Sequence, residues 1–592
     1  MEHKEKCIKI FVNLIYIIPV FIIMAVCLYH LHDNRIIKIT GDEYGYWAAG
    51  GYLAGLDWSD VTSINAYYGY GYGFILAIIL RCTSSMVTAY QAAVILNVFS
   101  LCCIYVIALK LVKAFSAECG MPWYLEIILS FTTAVYTSNV VYTQYTLSEA
   151  LLAFLYWLLV YLAYLLLQRF TYVRALFFGF IAVYALSVHM RTVGILLVCC
   201  AFLVYLFCRN HVKLAKSLPV FGAIAVLLIA FYALKSIYQG AWFAGGDDAV
   251  LAANEVSGQI GKLEYFLSAE GFLSFLTVLS GKLFSSLSST LLVIGVGFAV
   301  FLRNICCLVK GGIIEKKQCV FSGMDRLLFF LVFSSLIMMG IGSLYMIEPS
   351  GRFDLLTYGR YFEFTLSPLI LISFLYLYGS GIRQLLKYIV FIMVCYVPLS
   401  LFINHVQDYS LPKGNVFISC TGISSTLMKL EYKEDAFLFF MTRGMAVFIV
   451  LLCIVFTDNG KWKRLLYSAA LSAVGIFWIY SAMYNYRHGC LEWAVPMQEA
   501  ELGLAEYIEK ENIGDKLYYY YPEDILKADV LQFLLKDNEI QCIDEVSGFR
   551  DTHGTGYLLT PKQTGIGEEL KSRGFRIVQE TKLLKLWKCD SS

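Results

Sequence analysis

The chain has 592 residues, 59% of them hydrophobic and only 15% charged, which excludes a soluble multidomain protein and points to a polytopic helical membrane protein. A formal net charge of +2 offers neither the broad basic surface of a nucleic-acid binder nor an acidic tail for a cationic partner. The 18 cysteines lie mostly inside apolar runs, as in Cys102-Cys103 and Cys199-Cys200, without the paired CxxC spacing of a metal site, and read as small core residues.

In chain order, the first apolar run, Ile8 to Leu28, follows a basic leader. It is longer than a signal-peptide core and no small-residue cleavage site follows, so a retained span is expected. Next comes a stretch unlike any other here, Thr40 to Tyr72, TGDEYGYWAAGGYLAGLDWSDVTSINAYYGYGY, dense in tyrosine and glycine around the acidic pair Asp42 and Glu43. Further runs of spanning length follow at 86–109, 123–138, 147–167, 173–188, 193–208, 218–234, 283–302, 327–346, 362–377, 388–403, 437–456 and 465–484, about thirteen spans in all. With a cytoplasmic N-terminus, the alternate loops carry Lys110 and Lys113, Arg169 and Arg174, Arg209 with Lys213 and Lys216, Arg303 through Arg326, Arg383 and Lys387, and Lys461 with Lys463 and Arg464. Every inner loop is then basic, as the positive-inside rule requires. The first loop, residues 30–85, a long loop from Ser236 to Gly281 and the whole tail fall on the outer side of the plasma membrane.

From Pro496 the pattern turns soluble. Helices are expected at MQEAELGLAEYIEKEN, EDILKADVLQFLLKD and GIGEELKSRG, and strands at KLYYYY, IQCID, GYLLT, FRIVQET and LLKLWK. The expected fold class is therefore a polytopic α-helical membrane domain, residues 1–484, with a small extracytoplasmic α/β domain, residues 485–592. Gly554-Thr555-Gly556 is too short for a dinucleotide fingerprint and reads as a turn. Cys542 and Cys589 could pair in an oxidising exterior.

Thr40-Gly41-Asp42-Glu43 fits a capping box, with Thr40 as N-cap and Glu43 reaching back from the first turn. That accounts for Glu43 and leaves Asp42 without a structural duty. Tyr46 and Ala49 share a face with Asp42, and Tyr52 and Trp58 extend an aromatic flank expected at the membrane boundary. Asp42-Glu43-x-x-Tyr46-x-x-x-Gly50, directly after the first span, resembles the first-loop acidic motif of the GT-C class of polyprenyl-phosphate-sugar glycosyltransferases, which includes protein O-mannosyltransferases and lipid A aminoarabinose transferases. Tyr68-Gly-Tyr70-Gly-Tyr72-Gly-Phe-Ile-Leu-Ala resembles the juxtamembrane helix that follows it in that class.

Three further matches fall in the same order. Tyr145-Thr-Leu-Ser148-Glu149 resembles the second acidic position of the class; Glu149 is equally readable as a helix-start residue capped by Thr146 or Ser148. Ser187-Val-His189-Met-Arg191-Thr-Val-Gly194 resembles the basic turn before the sixth span, and an arginine heading an apolar helix favours anion binding. Tyr358-Gly-Arg360-Tyr361-Phe-Glu363-Phe-x-x-x-Pro368 resembles the Arg-Tyr motif that meets lipid phosphate, with Arg352 and Asp354 upstream. Two positions depart from the class: no proline follows Arg191, and Glu363 stands where apolar residues are usual.

The resemblance implies an integral membrane glycosyltransferase acting on the outer face, with hexosyl or pentosyl transfer from a polyprenyl-phosphate-linked donor to an envelope glycan, lipid or protein acceptor. Asp42 would be the base, with Glu43 beside it, and Arg191, Arg360 and Tyr361 would hold donor phosphate. Glu149 would be a second acidic position, and Tyr46, Tyr68, Tyr70 and Arg352 a substrate loop. A carboxylate suits an incoming hydroxyl and a planar guanidinium suits phosphate oxygens. Acidic residues without histidine partners would suit only a hard divalent cation such as magnesium or manganese. Rival readings are a lipid-linked sugar transporter or flippase, a glycan polymerase or ligase, and a surface receptor whose tail is the working part; the first would place polar residues at mid-membrane on broken helices.

Overall fold

The computed structural model describes residues 2–589 apart from 244–258, 315–319, 349–350, 429–443, 447, 451–452, 454–459, 493–494, 514–515, 522–524, 547–548 and 550–555. Among the described residues, ten helices are long and apolar enough to cross a membrane, and Tyr70–Cys82, Tyr172–Val188 and Glu363–Gly379 are shorter apolar segments. The bundle is built from α1 (Glu2–Leu28), α2 (Thr40–Ala54), α3 (Tyr70–Cys82), α4 (Met86–Cys119), α5 (Trp123–Ala134), α6 (Ser148–Gln168), α7 (Tyr172–Val188), α8 (Val193–Arg209), α9 (Leu214–Trp242), α10 (Ala269–Ser289), α11 (Val293–Cys307), α12 (Gly323–Tyr345), α13 (Leu366–Gly379), α14 (Ile382–Val406) and α15 (Gly460–Tyr486). The central helix is α6, whereas α9 and α14 lie at the rim and expose Val226, Ile229, Val390 and Val394, as lipid-facing helices do.

Two expectations about the bundle change. The loop expected from Ser236 to Gly281 is largely helical, since α9 runs to Trp242 and α10 begins at Ala269. The single span expected at 283–302 is a broken one: α10 and α11 meet at a corner where Leu291 and Leu292 take φ of 52° and 63°. A left-handed leucine costs about 1–2 kcal/mol, and burying the side chain returns about 1.5–3 kcal/mol, so packing can hold the corner. Phe284 and Ser288 meet Tyr396 of α14 while Gly295 meets Ile392 one turn earlier, so the chain keeps its direction through the break. The expected span 437–456, like Gly554-Thr555, lies largely outside the described residues.

Within residues 30–85, α2 and α3 pack at close range because glycines face each other. A Cβ on Gly73 would stand 2.8 Å from that of Ala49, and one on Gly50 would stand 3.0 Å from that of Leu76. The aromatics here are not interfacial anchors as expected. Tyr44, Tyr46, Trp47, Trp58 and Tyr72 are buried, and their polar atoms are hydrogen-bonded to Thr62, Ser148, Thr146, the Lys536 carbonyl and Asn97.

The tail follows its expected elements: α16 (Val495–Lys510), β1 (Lys516–Tyr520), α17 (Leu526–Leu534), β2 (Glu539–Ile543), β3 (Tyr557–Pro561), α18 (Gly567–Ser572), β4 (Phe575–Glu580) and β5 (Leu584–Cys589). The sheet order is β2-β1-β3-β5-β4, with β1 parallel to β2 and β3, and β5 antiparallel to β3 and β4. Cys542 and Cys589 form no disulfide: they sit on β2 and β5 with two strands between, about 14 Å apart by strand spacing and beyond disulfide reach. The tail packs on the first loop through α17. Phe533 meets Trp47 and Tyr90, Trp58 donates to the Lys536 carbonyl at 2.9 Å, and Asn65 donates to Asp529 at 2.8 Å.

Candidate functional site

At the end of the bundle that carries the first loop, segments from across the chain close on a cavity of about 410 Å³. Asp42 and Ile39 come from the start of α2, Tyr68 from the turn before α3, and His189 from the turn before α8. Tyr345 ends α12, Arg352, Tyr358, Arg360 and Tyr361 line the segment before α13, and Asn415, Ile418 and Ser419 follow α14.

Glu43 reaches back over the start of α2 as expected, but Thr40 is not the N-cap and no capping box forms. The N-cap is Ile39, which offers no side-chain bond, and Glu43 Oε2 accepts the backbone N–H groups of Lys38 at 2.6 Å and Ile39 at 2.8 Å. Its Oε1 accepts the Tyr90 hydroxyl, the Thr146 hydroxyl and the Thr146 N–H at 2.7–2.8 Å. Five donors on one fully buried carboxylate tie α2, α4 and the 142–147 turn together, and Glu43 does not line the cavity. Lys38 braces the same junction. Its Nζ donates to Asn34 and to the Gln144 carbonyl, with the rings of Tyr90, Tyr145 and Tyr486 at 5.0–5.6 Å.

The neighbouring residue, Asp42, points the other way, into the cavity, and its side chain is 30% exposed. Tyr68 donates to Oδ1 and Arg360 Nη1 donates to Oδ2. Arg360 Nε donates to Glu149 Oε1 at 2.7 Å, and the same oxygen accepts from Arg191 Nη2 at 2.7 Å. Arg191 also lies over the ring of Tyr361 at 4.9 Å. The four charged positions singled out in the sequence therefore form one hydrogen-bonded chain, Asp42–Arg360–Glu149–Arg191. It is electrically balanced, as burial of all but Asp42 demands. Burial alone would weaken the hold of Arg360 on its proton, but Glu149 and Asp42 outweigh it and raise its pKa well above the ordinary value. Burial, reinforced by Arg191, pushes His189 well below its usual range, so its Nδ1 accepts the Arg191 N–H as a neutral ring.

Glu149 is no capped helix-start residue. The N-cap of α6 is Leu147, the Thr146 hydroxyl serves Glu43 and Trp47, and Ser148 accepts from Tyr46. Among the described residues Glu149 Oε2 and Arg191 Nε and Nη1 are buried without a hydrogen-bond partner. Tyr46 and Tyr70 do not line the cavity: Tyr46, buried, donates from α2 to Ser148 at the start of α6 at 2.9 Å, and Tyr70 donates to the Phe231 carbonyl at 3.1 Å. Arg352 does line it, clamped on the buried Asp354 through Nε at 2.9 Å and Nη2 at 2.5 Å. Glu363, the odd residue of its motif, is fully buried and accepts from the Thr421 hydroxyl and the Gly422 N–H, fastening the Arg360 segment to the 415–422 turn. Tyr345, Tyr358, His189, Asn415 and Ser419 line the cavity without a sequence signal of their own; only the adjacency of Tyr358 and His189 to Arg360 and Arg191 hinted at them.

A divalent cation does not suit this donor set. Asp42 and Glu149 each already face a guanidinium, and among the described residues no three His, Cys, Asp or Glu side chains are grouped to hold a metal. Glu149 and Arg191 do not line the cavity but back Arg360 from behind its wall, so what the arrangement can do is present a partly exposed carboxylate, Asp42, to a polar substrate and the Arg360 guanidinium to an anion.

No protein-family model matches the chain, and no curated protein sequence matches it. Its fold is that of ArnT from Cupriavidus metallidurans. The structure of that protein bound to undecaprenyl phosphate aligns with a TM-score of 0.52 and 11% identity, over 97% of this chain and 98% of that one. Its apo structure aligns with a TM-score of 0.51 and 10% identity, over 97% of each.

Proposed function

We propose that this chain is a membrane glycosyltransferase that moves a sugar from a polyprenyl-phosphate carrier to a hydroxyl acceptor on the outer side of the membrane. The observation that carries this reading is the joining of Asp42, Arg360, Glu149 and Arg191, more than 300 residues apart at their extremes, into one charge chain at a polar cavity. The fold shared with a protein that binds undecaprenyl phosphate supports the donor class. In the proposed step the acceptor oxygen attacks the anomeric carbon and its proton passes to Asp42. The bond from that carbon to the phosphate oxygen breaks, and the electron pair leaves on the polyprenyl phosphate. Arg360 and Arg191 oppose the charge that grows on the phosphate. Glu149 keeps the two guanidinium groups in register, and Glu43 has a structural task. A groove of about 700 Å³ walled by Leu197, Phe202, Phe329 and Phe333 begins about two turns along α8 from Arg191 and would take the isoprenoid chain.

The test is transfer itself. Asp42→Asn is expected to lower the rate by about 10²–10⁴-fold while leaving folding unchanged. Surface glycans of a strain lacking the protein should lose one sugar substituent. Full activity in the variant, or an unaltered glycan profile, would count against the reading.

A further inference from the structure

The base proposed above rests on the cation proposed to receive the donor. Both oxygens of Asp42 are engaged, Oδ1 by the Tyr68 hydroxyl and Oδ2 by Arg360 Nη1. While that contact lasts, the negative charge an incoming hydroxyl needs is committed to Arg360. The guanidinium has two unlike edges. Its Nε is held at 2.7 Å by Glu149, whose side chain is 0% exposed and has no solvent to turn to, whereas the Nη1 edge meets Asp42 at the cavity wall, 30% exposed. An anion that binds Arg360, where both edges already face a carboxylate, competes with the carboxylate at the edge it takes. Releasing Asp42 costs less, because water can solvate it, than stranding buried Glu149. Arg191 Nε and Nη1, buried and without partners, leave donors ready on the neighbouring guanidinium.

We propose that the donor's phosphate binds by exchange: it takes the Nη edge of Arg360 from Asp42, and Asp42 is free to accept the acceptor's proton only once the donor is seated. Binding is then ordered, donor before acceptor, and the base is idle in the resting protein. This rests on the reading of Arg360 as a phosphate ligand. The exchange breaks one charge-assisted hydrogen bond and forms another, and no covalent bond changes until the acceptor arrives.

The exchange is tested with purified full-length protein in detergent and undecaprenyl phosphate as the probe, which carries no sugar and cannot turn over. Asp42→Asn, which removes the competitor, is expected to tighten binding roughly tenfold, the worth of one partly exposed charged hydrogen bond. Arg360→Met should weaken it by at least as much, and Tyr68→Phe, which leaves the Asp42–Arg360 contact in place, should change it less than about twofold. If Asp42→Asn leaves affinity unchanged or lowers it while Arg360→Met weakens it, the exchange is overturned and the phosphate site stands. If Arg360→Met has no effect, the phosphate site falls, and the exchange with it. Asp42→Ser provides a second removal of the charge should the asparagine variant not yield folded protein, judged by its melting transition.

Discussion

Two adjacent carboxylates, Asp42 and Glu43, show how far residue-level reasoning reaches. Their chemistry is identical and the sequence can only separate them by asking which one a helix start needs; the structure separates them by counting donors, five on Glu43 and an open cavity beside Asp42. Glu43→Ala should therefore lower stability by several kcal/mol, since each orphaned buried donor costs about 1–3 kcal/mol, seen as a lower melting temperature. Glu149→Leu strands two buried guanidinium groups on one side of a balanced chain and should cost about 3–5 kcal/mol by the same measurement. Another buried carboxylate, Glu501 on α16, is one turn from Gln498, and among the described residues Glu501 Oε2 and both polar atoms of the Gln498 side chain lack partners. Burial pushes its carboxyl up to about 7, with Lys527 opposing. The folded state then holds the proton more tightly than the unfolded chain, so its contribution is intact at pH 4 and lost as pH rises through 7. Glu501→Gln should narrow the stability gap between pH 5 and pH 8 by about 2 kcal/mol. The arginines and acids of the site were legible because charge at the head of an apolar helix needs a reason. Asn415, Ser419 and Tyr345 were not, because a polar or aromatic residue in a loop or at a helix end needs none.

At the level of elements, hydropathy located most spans and failed where a span is not one straight helix. The α10–α11 corner is invisible in the sequence because two leucines, not glycine or proline, take the left-handed turn. Tyr-Gly alternation before α3 reads as an odd composition until the packing explains it: the rings fill the interior and the gaps between them admit a neighbouring backbone. Gly45, facing this run from α2, leaves room for one of its rings: a Cβ there would sit 2.1 Å from the ring of Tyr68, the residue that donates to Asp42. Gly45→Ala should cost about 1–3 kcal/mol of stability by overpacking and should reduce transfer by more than that loss explains, because the displaced ring carries its hydroxyl away from the carboxylate. Measuring melting and turnover on the same preparation separates the two effects.

For the whole molecule, the sequence pattern foresaw a membrane bundle with a small α/β tail, but not that the tail touches the working end. The sidedness proposed from the basic loops is open to test: a cysteine placed at Glu568, which is 88% exposed on α18, should react with an impermeant reagent in intact cells, and labelling only after permeabilisation would reverse the proposed orientation. The contact between the tail and the first loop joins Asn65 to Asp529 of α17 and Trp58 to Lys536 just beyond it, across more than 460 residues of chain. During synthesis α2 emerges early, while the surface that covers Trp47 and Trp58 is made more than 460 residues later. A polypeptide stopped after Tyr486 should insert its helices yet leave the first loop open to protease, whereas a chain that includes residues 487–592 should protect it. The helix that bears Asp42 would then reach its final packing only when that distant stretch has been translated and folded, so that the site waits on a domain made far behind it.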